Sequence, residues 1–138
     1  MGGAYIRVEG ADRLKRTLRK AGADLGELRE ANRHAANIVA AAARPLTPIG
    51  KPRRRGRGRP KAPGRLMRSL RTSATLRAGV VKAGNARVPY AAVVHYGWRT
   101  HGIKERPWLH NAAVASEPIW TKNYTRKMNE VLRQVKGK

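Results

Sequence analysis

Eleven consecutive residues, Lys51-Pro52-Arg53-Arg54-Arg55-Gly56-Arg57-Gly58-Arg59-Pro60-Lys61, divide this chain into two parts that must meet to build a core. The segment holds seven cations, two prolines and two glycines, and no aliphatic or aromatic side chain. It has nothing to bury, so its composition predicts a loop of the disordered type, mobile unless a partner orders it. It lies inside a longer acid-free interval: between Glu30 and Glu105 there are seventeen Lys or Arg and no Asp or Glu. Over the whole chain 31 Lys and Arg stand against 8 Asp and Glu, a formal net charge of +23. Copies of such a chain repel one another unless something anionic is near, which points to nucleic acid, an acidic protein surface or anionic lipid.

The two ends are of mixed charge and look ordinarily folded. A chain of 138 residues fits one domain, residues 1–138, with the basic stretch as an insertion at about 49–62. Phe is absent, so the core must be built from Leu, Val, Ile, Ala, three Trp and four Tyr. Alanine brings helices close but buries little area, which predicts a monomer of marginal stability that gains from assembly. With no cysteine, disulfides, thiolate metal sites and a Cys nucleophile are excluded. No stretch approaches the ~18 apolar residues of a membrane span. The start, Met1-Gly2-Gly3-Ala4-Tyr5-Ile6, lacks the basic-then-apolar pattern of a signal peptide, so none is expected.

Hydrophobic spacing gives the elements. Residues 4–8 alternate as a short strand. Asp12 is placed to cap a helix over about 12–21, with Leu14, Leu18 and Ala21 on one side. A longer helix should run from Asp24 to Ala43 on a stripe of Leu25, Leu28, Ala35, Ile38, Val39 and Ala42, stopped by Pro45 and Pro48. Gly64–Leu70 reads as a short helix, 71–77 and 79–83 as two strands, and Gly84-Asn85 as a turn. Residues 89–97 carry both strand and helix signals; Pro89 at the start and Gly97 past the end favour two helical turns. A loop over 98–106 precedes a final helix over about 107–136, with Pro118 as a point of restart. Trp120, Tyr124, Met128, Val131 and Val135 recur at spacings of 4, 4, 3 and 4, a helical stripe. The implied fold is α+β: a small antiparallel sheet packed against a long N-terminal helix and a long C-terminal helix.

Chemistry is concentrated in the basic loop. Lys51, Arg53, Arg54, Arg55, Arg57, Arg59 and Lys61 suit phosphate, which Arg meets in fork geometry. No aromatic lies among them for base stacking, and no helix face orders them for groove reading. Contact with DNA phosphates or an acidic neighbour fits best; the plainer account is a solvated loop that neutralises nothing. His34, His95, His101 and His110 do not take metal-ligand spacing. The eight acids are scattered singly, and Ser69, Ser73 and Ser116 lack a recognisable His and Asp arrangement. No GxxxxGK[ST] phosphate loop occurs. The expectation is a protein that is not an enzyme and binds no cofactor. Pro107-Trp108-Leu109 puts a large aromatic at a helix start, as a core anchor or, with Tyr90 and Trp98, as a subunit interface.

Taken in order, these segments resemble a family: the small tail-component proteins of long-tailed bacteriophages, called neck, tail-completion or head–tail joining proteins. The resemblance rests on Tyr5–Leu14, on Ala43-Arg44-Pro45, and on Gly64-Arg65-Leu66-Met67-Arg68-Ser69-Leu70. It continues with Tyr90-Ala91-Ala92-Val93-Val94-His95-Tyr96-Gly97 and Pro107-Trp108-Leu109-His110-Asn111-Ala112. It covers nearly the whole chain. The departures are Ala62-Pro63 where the family often has Asp-Thr, the basic insertion, His95 at a usual acid, and Trp108 at a usual Phe. The resemblance implies a structural virion protein in a homo-oligomeric ring, six-fold by preference, between head-closure proteins and the tail terminator or tail tube. It would work in the virion neck, after assembly in the host cytoplasm, with double-stranded genomic DNA passing through and no membrane involved. A different class also fits the charge: a sequence-nonspecific nucleic-acid-binding protein.

Overall fold

The computed structural model describes residues 3–8, 16, 19, 25–49, 64–86 and 88–136. Strand β1 (Ala4–Val8) is followed by helix α1 (Leu25–Ala43) and a 3-10 turn at Arg44–Leu46. A short helix α2 (Arg65–Arg68) leads into strands β2 (Arg71–Ala74) and β3 (Gly79–Ala83). Helix α3 (Ala91–Tyr96), a 3-10 turn at Arg99–His101 and helix α4 (Trp108–Lys136) complete the order. The architecture is α+β, as the periodicities imply. Arg16 and Arg19 are helical; the rest of the helix expected over 12–21 lies outside the described residues.

β3 is the central strand of a three-stranded antiparallel sheet of order β1-β3-β2. Its period-2 alternation buries Gly79, Val81 and Ala83 and leaves Lys82 exposed. The β2 strand, expected to reach Arg77, stops at Ala74. The reason is local: the Thr75 hydroxyl accepts from the N–H groups of Arg77 and Ala78, both at 3.2 Å, and the Thr75 N–H donates to the Ala78 carbonyl at 2.9 Å. This threonine turn competes with the ladder and reverses the chain into β3.

α1 lies across the buried face of the sheet. Its buried residues, Leu28, Ala31, Asn32, Ala35, Ala36, Val39, Ala40 and Ala43, recur every three or four positions. The stripe is therefore centred one position away from Ile38 and Ala42, which were expected within it and are only half-buried. Asn32, buried among apolar groups, donates from Nδ2 to the Thr75 carbonyl at 2.9 Å and ties the helix to the β2–β3 turn. The contact is close: a Cβ at Gly79 would collide with the Asn32 carbonyl oxygen and lie 3.2 Å from the Ala36 methyl. Gly79→Ala should therefore destabilise the fold by about 1–3 kcal/mol. Denaturant unfolding checks this; an unchanged midpoint would mean the helix can lift off the strand freely. After Ala43 the helix gives way to the Pro45 turn, and the Thr47 hydroxyl donates to the Ala43 carbonyl at 2.8 Å.

α4 packs antiparallel to α1. Near its start Trp108, Leu109 and Ala112 share a core cluster with Ala36, Val39, Ala40, Ala43, Val81, Ala83 and Val88; further along, Met128 and Val131 share one with Leu28 and Ala31, with Tyr124 beside them. The ion pair Lys127–Glu27, 3.1 Å, closes that far end. The helix runs unbroken through Pro118, without the expected restart. Pro118 is exposed and gives no N–H to the Val114 carbonyl. In the same turn the Trp120 indole donates to the Ala113 carbonyl at 3.1 Å and the Ser116 hydroxyl to Ala112 at 2.6 Å. No helix among the described residues is long and apolar enough to cross a membrane.

Candidate nucleic-acid interface

The seven loop cations, Lys51, Arg53, Arg54, Arg55, Arg57, Arg59 and Lys61, lie outside the described residues. The described chain on their N-terminal side ends at Ile49, which is exposed, as is Leu46. On the other side it resumes at Gly64, the residue that caps α2.

Strand β1 and the described part of the acid-free interval build a basic surface on the side of the sheet away from α1. Strand alternation and register place Tyr5 and Arg7 of β1, Lys82 and Val80 of β3, and Arg71 and Ser73 of β2 on this outer side. Tyr5, Lys82 and Arg71 stand in one cross-strand row, and Arg7, Val80 and Ser73 in the next. All except Val80 are exposed. The Arg71 guanidinium is fixed by donating from Nη1 to the Gly84 carbonyl at 2.6 Å and to the Ser69 carbonyl at 3.3 Å. Ser69 is itself buried, donating to Leu66 at 2.6 Å and accepting from the Gly84 N–H at 2.8 Å. A cavity of about 540 Å³ opens beside the first row, between Tyr5, Arg71, Lys82 and Pro89. The ion pairs Arg33–Glu30 and Lys127–Glu27 belong to α1 and α4, on the helical side.

Of the residues expected to anchor a helix or meet a neighbouring subunit, Trp108 and Leu109 are core and Pro107 is half-buried beside them. Tyr90 and Trp98 are exposed, Trp98 by 46%. Trp98 starts a hairpin inside the segment 98–106 that was expected to be a loop. Trp98 and Ile103 exchange both backbone hydrogen bonds, at 2.8 and 3.0 Å, closing a tight hairpin over the Arg99–His101 turn. The Trp98 ring lies 3.6 Å from that of His101. Gly97, at φ +78°, lets the Glu105 backbone pass against the hairpin base, where a Cβ would sit 2.8 Å from the Glu105 nitrogen. Two glycines five apart, Gly97 directly before Trp98 and Gly102 directly before Ile103, were the available signal.

His95 is buried, with its ring edge-on to Tyr96 and to Trp108, centroids 4.5 and 5.2 Å apart. Among the described residues neither ring nitrogen has a hydrogen-bond partner, and nor does the buried Trp108 indole nitrogen. Burial, and then the nearby His110, push the His95 pKa below its ordinary 6.5. The folded chain therefore holds His95 neutral while the unfolded chain takes up a proton near pH 6.5. Stability should be full above that value and should fall as the pH drops below it. Thermal unfolding from pH 8 to 5 checks this: His95→Leu should flatten the acid limb, and an unaltered limb would remove His95 as its cause.

The other histidines, His34, His101 and His110, are exposed. Among the described residues no three His, Asp or Glu are grouped to hold a metal. A cleft of about 330 Å³ between α1 and α4 is lined by Glu30, His34, Tyr124, Lys127 and Glu130, and burial pushes the Tyr124 phenol upward. Ser69 and Ser116 spend their hydroxyls on backbone carbonyls. The chain matches no family model, and neither a curated protein nor a solved structure matches it.

Proposed function

We propose that this chain is a structural protein of a tailed-phage neck, forming a homo-oligomeric ring, six-fold by preference, that completes the tail end and joins it to the head. What supports the reading is the ordered set of segments that resemble those of neck and tail-completion proteins, whose described residues each take a defined part in the fold. Tyr5–Val8 is the first strand, Ala43-Arg44-Pro45 the end of the long helix, and Gly64–Leu70 the turn tied to the sheet. Tyr90–Gly97 is α3, and Trp108-Leu109 begins α4 from within the core. Its partners are the head-closure proteins on one side and the tail terminator or tail tube on the other, in the virion and, before that, in the host cytoplasm. Genomic duplex DNA passes through such a ring. Extended, the eleven residues 51–61 reach about 36–40 Å, enough to meet it. Repetition around a ring turns a weak contact per chain into a strong collar of charge.

The net charge of +23 also favours a second reading, a sequence-nonspecific nucleic-acid-binding protein acting as a monomer. Negative-stain electron microscopy of the purified chain separates the two. Closed rings of uniform diameter are expected; a monomer that associates only when nucleic acid is added would sink the ring.

A further inference from the structure

We infer that the outer face of the sheet is a contact surface for the sugar–phosphate backbone of duplex DNA, separate from the basic loop. From the neck reading the inference takes only the choice of duplex DNA as the polyanion. Six side chains make up the face: Tyr5, Arg7, Arg71, Ser73, Val80 and Lys82. Five can donate hydrogen bonds, three carry positive charge, and none is a carboxylate. Arg, Lys, Ser and Tyr are the side-chain types that serve phosphate contacts. The acid-free interval accounts for this: β2 and β3 fall wholly inside it, and β1 has no acid of its own.

Geometry selects backbone contact over base reading. Three strands, each occupying about 4.8 Å, make a face roughly 14 Å wide. The major groove, about 12 Å wide, accepts a two-stranded ribbon standing in it. It does not accept a three-stranded sheet lying flat with α1 packed behind. The face must rest across the groove edge, on phosphates. Positions two apart on a strand, Tyr5 and Arg7, are about 6.8 Å apart, and Lys82 and Arg71 stand about 5 Å apart on neighbouring strands. The hydroxyls and cations thus form a compact donor array that fits neighbouring phosphates of one strand. Arg71 is pre-set by its two carbonyl partners, so it brings a charge whose position is already fixed. Tyr5, 59% exposed, offers its hydroxyl and a flat apolar body to the sugar. Selectivity for base sequence is absent, since no side chain of the face reaches a base edge.

The test uses the full chain carrying Arg53, Arg54, Arg55, Arg57 and Arg59→Ser, so that the loop's own share is reduced. In that background Arg7→Gln with Lys82→Gln is compared with Lys122→Gln and Arg126→Gln on exposed α4, which removes the same charge elsewhere. Affinity for a 30-base-pair duplex is measured against salt. The sheet pair should flatten the slope of log affinity against log salt by about 1.8, roughly 0.9 for each lost phosphate contact. The helix pair should leave the slope unaltered. Arg7→Lys with Lys82→Arg should keep the parent slope, which separates charge from folding. Equal flattening by both pairs, or by neither, overturns the inference. So does an equal loss of binding to polyglutamate, which would assign the face to an acidic protein. These outcomes are independent of ring formation: a chain that forms no rings but shows the 1.8 change contradicts the neck reading alone.

Discussion

Trp108→Ala should lower the stability of the folded chain by about 3–5 kcal/mol. Trp108 is 3% exposed and belongs to a thirteen-residue core cluster of which seven members, Ala4, Ala36, Ala40, Ala43, Ala83, Ala91 and Ala112, are alanines. Alanine cannot move in to fill a void, because it has no rotamer to change. The indole therefore accounts for much of the contact between α4, α1 and the sheet, and its removal leaves a cavity that the neighbours cannot close. Its nitrogen has no hydrogen-bond partner among the described residues, so the loss is one of packing and apolar burial. Trp108→Phe, smaller but still aromatic, should retain most of the stability. Chemical denaturation of the three chains at pH 7.5 checks both statements. A fully stable Trp108→Ala chain that fails to assemble would instead make Trp108 an interface residue.

The second large effect is expected from the basic loop. Changing Arg53, Arg54, Arg55, Arg57 and Arg59 to Ser should flatten the salt slope of duplex binding by roughly 4.5 if all five meet phosphates, at about 0.9 per contact. With all seven cations engaged, the loop alone would contribute a slope of roughly −6. Sequence preference should be negligible in parent and variant alike. In assembly, heads and tails should still join, while DNA retention or ejection changes. If joining fails and duplex affinity is untouched, the loop docks on an acidic neighbour and the DNA contact is wrong.

The fold was legible where one period dominated. The α4 stripe Trp120, Tyr124, Met128, Val131 spaced itself at helical intervals over a long run, and the alternation of residues 4–8 marked β1. Legibility failed where a single side chain outweighed a pattern. The Thr75 hydroxyl ends β2 three residues before the β-compatible run does, because its local bonds replace ladder bonds. Ile38 was placed in the α1 stripe, yet alanines at 36, 40 and 43 are the buried ones, and the small Ala36 side chain is what lets α1 approach Gly79 so closely. The candidate site divides in the same way. The Lys51–Lys61 run announced itself through composition. The outer sheet face did not, because Tyr5, Arg7, Arg71 and Lys82 come from three separate segments and meet only through the register. The Trp98–Ile103 hairpin was hidden for a related reason: its polar tip, Arg-Thr-His-Gly, carries the composition of any surface loop.

The most direct test of the neck assignment is assembly in cells from which this chain alone is withheld, read by electron microscopy of the lysate. The account predicts separate heads and tails that do not join, and their joining on addition of the purified chain. Complete, tailed particles formed without the chain would contradict it.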